Sequence, residues 1–561
     1  MKKRLDSLTE AFNRHHLLTM LGLIFALIFV RYCYYGFSYY HQLDDYIQYH
    51  NYARRGLSLQ ELAAQLGLLA ARPLAGLADI IVWSRMFSVM LVAVAAISLL
   101  LAGSACLFYD VFRRRFGTGS LFCVVLTLLP LGFEGTYWVS ASSRVVVGMF
   151  FVSLALWLFE RWLRSGRVRD AILCAVAQLA AYGFYEQAMV ASFAALVLFA
   201  LLSFGNRRGW LALCGVANLG IFFAVTRFFS RFSGGELYAQ RTQLVDITSR
   251  SFYSTKIPEL LRQIWSVFVG GGFFTLAKGF KRGAKSLVTG PNFVWLLVVL
   301  LLCAVLWLVT RRRAADAVLT ASDAKKAPFE FWSALVIGVL LTLTPLAPFF
   351  LIAETWFSMR GAVMSLAGVA LVVDTLIRRL PLRARTYAAL GAVLALVCSV
   401  ASVSELRDYR DTTAHDMAFV ALLADAVEGI DADTRIAILN VEPSYLDDQN
   451  YFYHEHIHGI TESSWALQGG LEYRIGAENA PRVTPLPRRP MYWPWNCEVS
   501  RLESFDMLLL YRDGALVEVV PSVEGEVTQL FTRSGEYVGY VWEEDEHGYL
   551  ELGGSAFVGS D

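Results

Sequence analysis

Two adjacent carboxylates, Asp44 and Asp45, stand in the stretch Tyr39-Tyr40-His41-Gln42-Leu43-Asp44-Asp45-Tyr46-Ile47-Gln48-Tyr49-His50, directly after a long apolar run. A charge placed where a helix leaves hydrocarbon is costly unless it has a partner or a function. A carboxylate there can accept the proton of an attacking hydroxyl. In irregular or extended chain the two side chains would point apart, so one could face an acceptor while the other orients it or binds a metal. Glu134 (followed by Gly135-Thr136-Tyr137-Trp138), Glu186 and Glu354 also end apolar runs, as do Arg144, Arg227 and Arg360. Guanidiniums satisfy phosphate oxygens through several donors. Acids beside arginines therefore suit group transfer from a phosphorylated carrier. Long cations at the ends of spans commonly snorkel; short acids cannot, which gives the five carboxylates more weight.

The elements that must position these residues are membrane spans. Of 561 residues, 56% are hydrophobic and 17% charged, and the mean hydropathy is +0.47. Soluble proteins carry roughly 25% charged residues. The net charge of +1 is segregated: arginines fill short turns and acids crowd the last third. Nucleic-acid binding does not fit that distribution. Seven of the eight cysteines (33, 106, 123, 174, 214, 303 and 398) fall in or beside apolar runs, with Cys497 beyond them, and no metal or disulfide framework follows. The first run follows Lys2, Lys3, Arg4 and Arg14 and lacks a small-residue cleavage site, so it reads as a retained span.

Span length and the Lys/Arg bias set the topology. Span one is 17–38, with a cytoplasmic N-terminus. Loop 39–82 lies outside, with a surface helix over 57–71. Spans follow at 83–107, 118–133 and 145–160, then a hairpin over 171–204, then 210–226. Residues 265–280 are apolar but short and glycine-broken: either they cross, which puts Arg311-Arg312-Arg313, Lys325 and Lys326 outside, or, the reading preferred on charge bias, 228–290 is an outer segment with a re-entrant or surface piece. Spans at 292–310, 331–351, 361–377 and 387–403 complete about eleven. This divides the chain into a membrane domain, 1–404, and a soluble extracytoplasmic α/β domain, 405–561. In the latter, 412–430 reads as a helix, 435–440 as a buried strand and 507–520 as a hairpin turning at Asp513-Gly514. His454, His456 and His458 would share one face of an extended strand and could bind zinc, although a histidine-rich surface strand is the simpler account. The stretch Met491-Tyr492-Trp493-Pro494-Trp495-Asn496 suits sugar stacking, an interfacial position or packing within the tail.

An outward acidic pair after the first span, a surface helix, many spans and a soluble outer tail together resemble the GT-C type of polytopic membrane glycosyltransferase. Within it, the layout is similar to the bacterial polysaccharide-modifying glucosyltransferase group. The resemblance covers 1 to about 404 in layout and only a few residues in sequence. It implies a polyprenyl-phosphate sugar donor, an extracytoplasmic glycan or lipid acceptor, an inverting mechanism and residence in the bacterial inner membrane. It also implies that Asp44 or Asp45 is the base, with Glu134 as a second outer-loop acid. Tyr137, Trp138, Arg144, Glu186, Arg227, Glu354 and Arg360 are expected around the substrate and carrier. No cofactor is required, and a divalent cation is compatible. The rival readings are a lipid-linked saccharide transporter or flippase, a glycan polymerase or ligase, and a non-enzymatic surface-polysaccharide assembly protein. A transporter would want internal repeats and broken helices, and no repeat is found.

Overall fold

A computed structural model describes residues 15–53, 71–231, 244–289, 292–320, 327–353, 356–442, 459–487, 502–524, 527–544 and 547–553. The chain forms two compact units. The first holds residues 1–39 and 57–407, the second 40–56 and 408–561. The domain boundary thus falls close to the expected 404/405. Residues 40–56, expected in the membrane domain's outer loop, group instead with the C-terminal unit.

The first unit is a polytopic helical membrane protein. Among the described residues, nine helical runs are long and apolar enough to cross a bilayer: His16–Cys33, Pro73–Phe116, Val139–Ser165, Arg207–Ser230, Phe252–Thr289, Phe293–Arg311, Phe329–Leu351, Met359–Arg379 and Ala384–Ala426. Three differences from the expected eleven spans have local causes. Span 118–133 is broken into Leu121–Leu128, a 3₁₀ turn Pro130–Gly132 and Glu134–Tyr137. Pro130 has no N–H to continue the first helix, and Leu129 takes an extended ψ of 123°. The hairpin 171–204 becomes Val168–Phe184 and Glu186–Leu202, 17 residues each. At 1.5 Å per residue each is about 26 Å, slightly short of a full crossing. Residues 252–289, expected as part of an outer segment, form one 38-residue helical run. Its α-turns alternate with π-turns at Phe252–Lys256, Ser266–Gly271 and Phe274–Lys278, around the triplet Gly270-Gly271-Gly272.

The helix Ala384–Ala426 has 43 residues, about 64 Å, twice what a hydrocarbon core of about 30 Å requires. Its first half is apolar. After Ser404 come Glu405, Arg407, Asp408, Arg410 and Asp411, so the crossing part ends there and Asp408–Ala426 belongs to the second unit.

That second unit is built on a seven-stranded sheet: β1 (Arg435–Val441), β2 (Arg482–Pro487), β3 (Met507–Arg512), β4 (Ala515–Glu524), β5 (Val527–Thr532), β6 (Tyr537–Glu544) and β7 (His547–Leu552), in the order β2-β1-β3-β4-β5-β6-β7. β1 pairs parallel with β2 and with β3, and from β3 onward the sheet is an antiparallel meander. The expected hairpin is present: Arg512 pairs with Ala515, and Asp513 and Gly514 take φ of 51° and 78°, which a two-residue type I′ turn needs. One sheet face buries Ala437, Leu439, Leu486, Leu508, Leu510 and Leu530. The helix Ser464–Ile475 supplies the crossover between β1 and β2 and packs on β2.

Candidate anion seat of the membrane unit

Four helical runs begin at one end of the membrane unit. They start at Pro73, Val139, Glu186 and Met359, and none of their N-cap residues closes the end with a side-chain hydrogen bond. Trp138, Tyr185 and Ser358 are extended at three of these caps, because the chain arrives there from a sharp reversal. Val139 N–H donates to the Tyr39 hydroxyl at 3.0 Å. The ends are close to one another. Gln187 Nε2 donates to the carbonyls of Pro345 and Gly361 at 2.9 Å each. A methyl on Gly135 would come within 3.2 Å of Arg360 Cα and 2.6 Å of Val363, so this glycine allows the close approach of Glu134–Tyr137 to Met359–Ala362.

Onto these ends the sequence places three arginines. Arg72 caps the run starting at Pro73, and its Nε donates to both oxygens of Glu186 at 2.9 and 3.0 Å. Its guanidinium also lies over the Tyr185 ring at 4.6 Å. Burial works against the charge of Arg72, and Glu186 more than restores it, while the positive Arg144 is close enough to oppose it. Arg144, in the second turn of Val139–Ser165, donates to Asp79 Oδ2 through Nη2 at 3.0 Å and Nε at 3.3 Å. Asp79 is fully buried and also accepts from the Ser143 hydroxyl at 3.3 Å. Arg360 lies over the Trp138 ring at 5.4 Å. Glu134, Tyr137 and Trp138 are wholly buried.

The charges of Arg72, Arg144 and Arg360 match those of Asp79, Glu134 and Glu186, so the side chains alone sum to zero. Each helix N-terminus adds about +0.5 of an elementary charge. The helix N-termini therefore add a positive field to this end. Such an arrangement can hold a phosphate or diphosphate, with an acid on the same short stretch as Trp138 and Arg144.

One buried cation beside this seat escaped the sequence reading. Arg31, 1% exposed, donates through Nη2 to the Tyr32 hydroxyl at 2.6 Å and the Thr136 hydroxyl at 3.0 Å. It also approaches the Leu128 carbonyl at 3.5 Å and lies over the Phe133 ring at 5.5 Å. Leu128 ends a broken helix whose next residues cannot all donate, so a cation there meets an orphaned carbonyl and the negative end of a dipole. Arg31 thus fastens the break that carries Glu134. Its signal was an arginine inside the span expected at 17–38. Asp79 and Arg72 were also missed; the only cue was an arginine before a proline that starts a helix.

Of the expected residues, Glu134, Tyr137, Trp138, Arg144, Glu186 and Arg360 come together. Arg227 does not: it is exposed on Cys214–Ser230, and among the described residues its side chain makes no hydrogen bond or ion pair. Asp44 and Asp45 are parts of the second unit. They are helical, not extended: Asp44 has φ −67° and ψ −12°, and Asp45 opens the helix. Asp44 Oδ1 accepts from Trp465 Nε1 at 3.4 Å. Asp45 is wholly buried and its Oδ2 accepts the Gln42 N–H at 3.0 Å. Gln42 in turn donates to the Tyr409 carbonyl at 3.2 Å and the Thr413 hydroxyl at 2.9 Å. Glu354, His454, His456, His458, the surface helix at 57–70 and the aromatic stretch 491–496 lie outside the described residues. No protein-family model matches this sequence, and no curated protein matches it.

Proposed function

We propose that this chain is an inverting, membrane-embedded glycosyltransferase that moves a sugar from a polyprenyl-phosphate-linked donor to an extracytoplasmic glycan or lipid acceptor. The observation that carries the reading is the positive seat at one end of a lipid-embedded helix bundle, which suits a ligand that is both apolar and phosphorylated. In this reading Arg72, Arg144 and Arg360 hold the carrier phosphate. The acceptor hydroxyl attacks the anomeric carbon opposite the phosphate, and the bond from that carbon to the phosphate oxygen breaks. Glu134 takes the hydroxyl proton, and polyprenyl phosphate leaves with its new charge met by the arginines. Asp45 is a poor base because its carboxylate serves the turn at Gln42. Asp44, half-buried in the second unit, is the other acid that the resemblance names as base. The Arg clusters at 113–115, 161–169, 207–208 and 378–379 mark the opposite, cytoplasmic side by the charge bias of the turns, which puts the seat outside.

Sugar transfer in nanodiscs, normalised to folded protein, tests this with E134Q, D44N and D45N. Loss of the base costs about 10²–10⁴-fold, expected for E134Q and not for D45N. A loss confined to D44N moves the base to Asp44. Near-wild-type rates in all three remove the assignment. One observation favours a transporter as the second reading: the buried, broken run Leu121–Tyr137, since broken helices line transport sites. Movement of a lipid-linked saccharide across the bilayer without transfer would select it.

A further inference from the structure

A groove of about 410 Å³ lies at the opposite end of the membrane unit, where the helix Glu186–Leu202 gives way to the 3₁₀ turn Arg207–Leu213. Its walls include Val197, Leu201, Phe204, Arg207, Trp210 and Leu213. Gly205, at φ +97°, reverses the chain so that the 3₁₀ turn folds back along the helix end, with Gly209 facing Ala200. One side of the turn is stapled down. Asn206 Nδ2 donates to the Leu163 carbonyl at 3.1 Å, and Trp162 Nε1 donates to the Arg208 carbonyl at 2.9 Å. Arg208 itself donates to the carbonyls of Leu163 and Arg164 at 3.2 and 3.1 Å.

The other side is left outward. Phe204 is 93% exposed, Leu213 67%, Leu201 61% and Trp210 60%. Beside them Arg207 is exposed, and among the described residues its guanidinium meets no acceptor. The neighbouring acids are already answered: Glu160 by Arg115 and Arg164, Asp170 by Arg161, Asp110 by Arg114. A cation with no acid to meet, an indole and an aliphatic slot on a rigid floor are complementary to one kind of molecule.

We infer that this groove seats an anionic membrane phospholipid, its headgroup phosphate on Arg207 and an acyl chain along Val197, Leu201, Trp210 and Leu213. A neutral lipid would fill the slot and leave the guanidinium unmet. A second copy of the chain would have to bring its own acid to Arg207. The inference stands independently of glycosyl transfer.

Native mass spectrometry of the full-length chain, titrated with phosphatidylglycerol and with phosphatidylcholine of the same acyl chains, reads the preference directly. The wild type retains phosphatidylglycerol. Each surface cation favours an anionic lipid by about 1 kcal/mol, about fivefold, so R207Q lowers the preference about fivefold and R207E abolishes it. Arg207 is exposed, so neither variant should alter the melting temperature. W210A loses retention of both lipids. Equal retention of the two lipids by the wild type, or an unchanged preference in R207E, overturns the inference. So does a dimer that W210A dissociates, since that would give the groove to a second copy.

Discussion

The two ends of the helix Val139–Ser165 use arginine in opposite ways. At its C-terminal end, and at those of its neighbours, arginines fill the last turns: Arg164 here, Arg113, Arg114 and Arg115 on Met90–Phe116, Arg378 and Arg379 on Leu366–Arg379. There they complement the dipole and meet buried acids. Asp374 is the most completely served. It accepts from Arg378 Nε at 2.8 Å, from the Gly119 N–H at 2.9 Å and from the Tyr387 hydroxyl, which itself accepts the Leu121 N–H at 3.1 Å. At the N-terminal end Arg72, Arg144 and Arg360 sit where the dipoles disfavour cations. Folding alone rewards the first arrangement. The second persists because carboxylates are brought in to hold it. Charge placed with the dipole supports the fold, and charge placed against it is the arrangement on which the proposed seat rests.

The comparison breaks most visibly if both ends tolerate loss of their buried acids alike. Asp374→Ala strands the Gly119 N–H, the Tyr387 hydroxyl and Arg378 together. Removing one member of a buried pair costs about 3–5 kcal/mol, so little monodisperse protein is expected by size-exclusion chromatography, with or without phosphate compounds present. Asp79→Asn removes one negative charge from the proposed anion seat. Its melting temperature is expected to fall less and to recover on adding pyrophosphate. Equal, ligand-independent loss in both variants would reduce the seat to ordinary structural pairing.

A smaller effect separates geometry from charge. Arg72→Lys and Arg144→Lys keep the positive charge but lose the planar guanidinium whose Nε now serves both oxygens of Glu186 and whose Nε and Nη2 both serve Asp79 Oδ2, respectively. A charge-assisted hydrogen bond is worth about 1.5–3 kcal/mol, so donor transfer is expected to fall about 10–100-fold with melting within a few degrees of wild type. Unchanged kinetics with lowered melting would assign the arginines to folding.

The apolar runs and the arginine-rich turns made the membrane unit legible, because hydropathy and charge bias act locally along the chain. The strand at 435–440 and the Asp513-Gly514 turn were legible for the same reason. What could not be read depended on distant partners. Gln42 reaches residues 367 and 371 positions away, so nothing near Asp45 announces that its carboxylate closes a turn in another unit. Asp79, the acid that orients Arg144, lies between Ala78 and the apolar Ile80-Ile81-Val82, in what reads as the end of an outer loop, where an acid is unremarkable. Glu134 and Trp138 stood out in sequence because an apolar run ends beside them; Arg31, which fastens the break there, fell inside the span expected at 17–38.

The smallest effect concerns a buried acid answered by neither arginine nor lysine among the described residues. Asp416 lies beyond the crossing half of Ala384–Ala426, in the second unit, and accepts the Ile460 N–H at 3.1 Å. Burial pushes its carboxyl from 3.8 up to about 7. The folded chain therefore holds this proton more tightly than the unfolded chain. Below the ordinary carboxylate range both states are protonated, and the full contribution to stability is present. As pH rises from about 4 toward about 7 the unfolded chain releases its proton first, so stability declines over that window and the contribution is gone above it. Asn cannot titrate and still offers an oxygen to the Ile460 N–H. Hydrogen-exchange protection at Ile460 and across Ser464–Ile475 should fall between about pH 4 and about pH 7 in the wild type and stay flat in Asp416→Asn, the variant being the better protected above about pH 7. Parallel curves would mean that Asp416 is ionised in the folded chain, and a cation would then have to answer it as one answers Asp374 and Asp79.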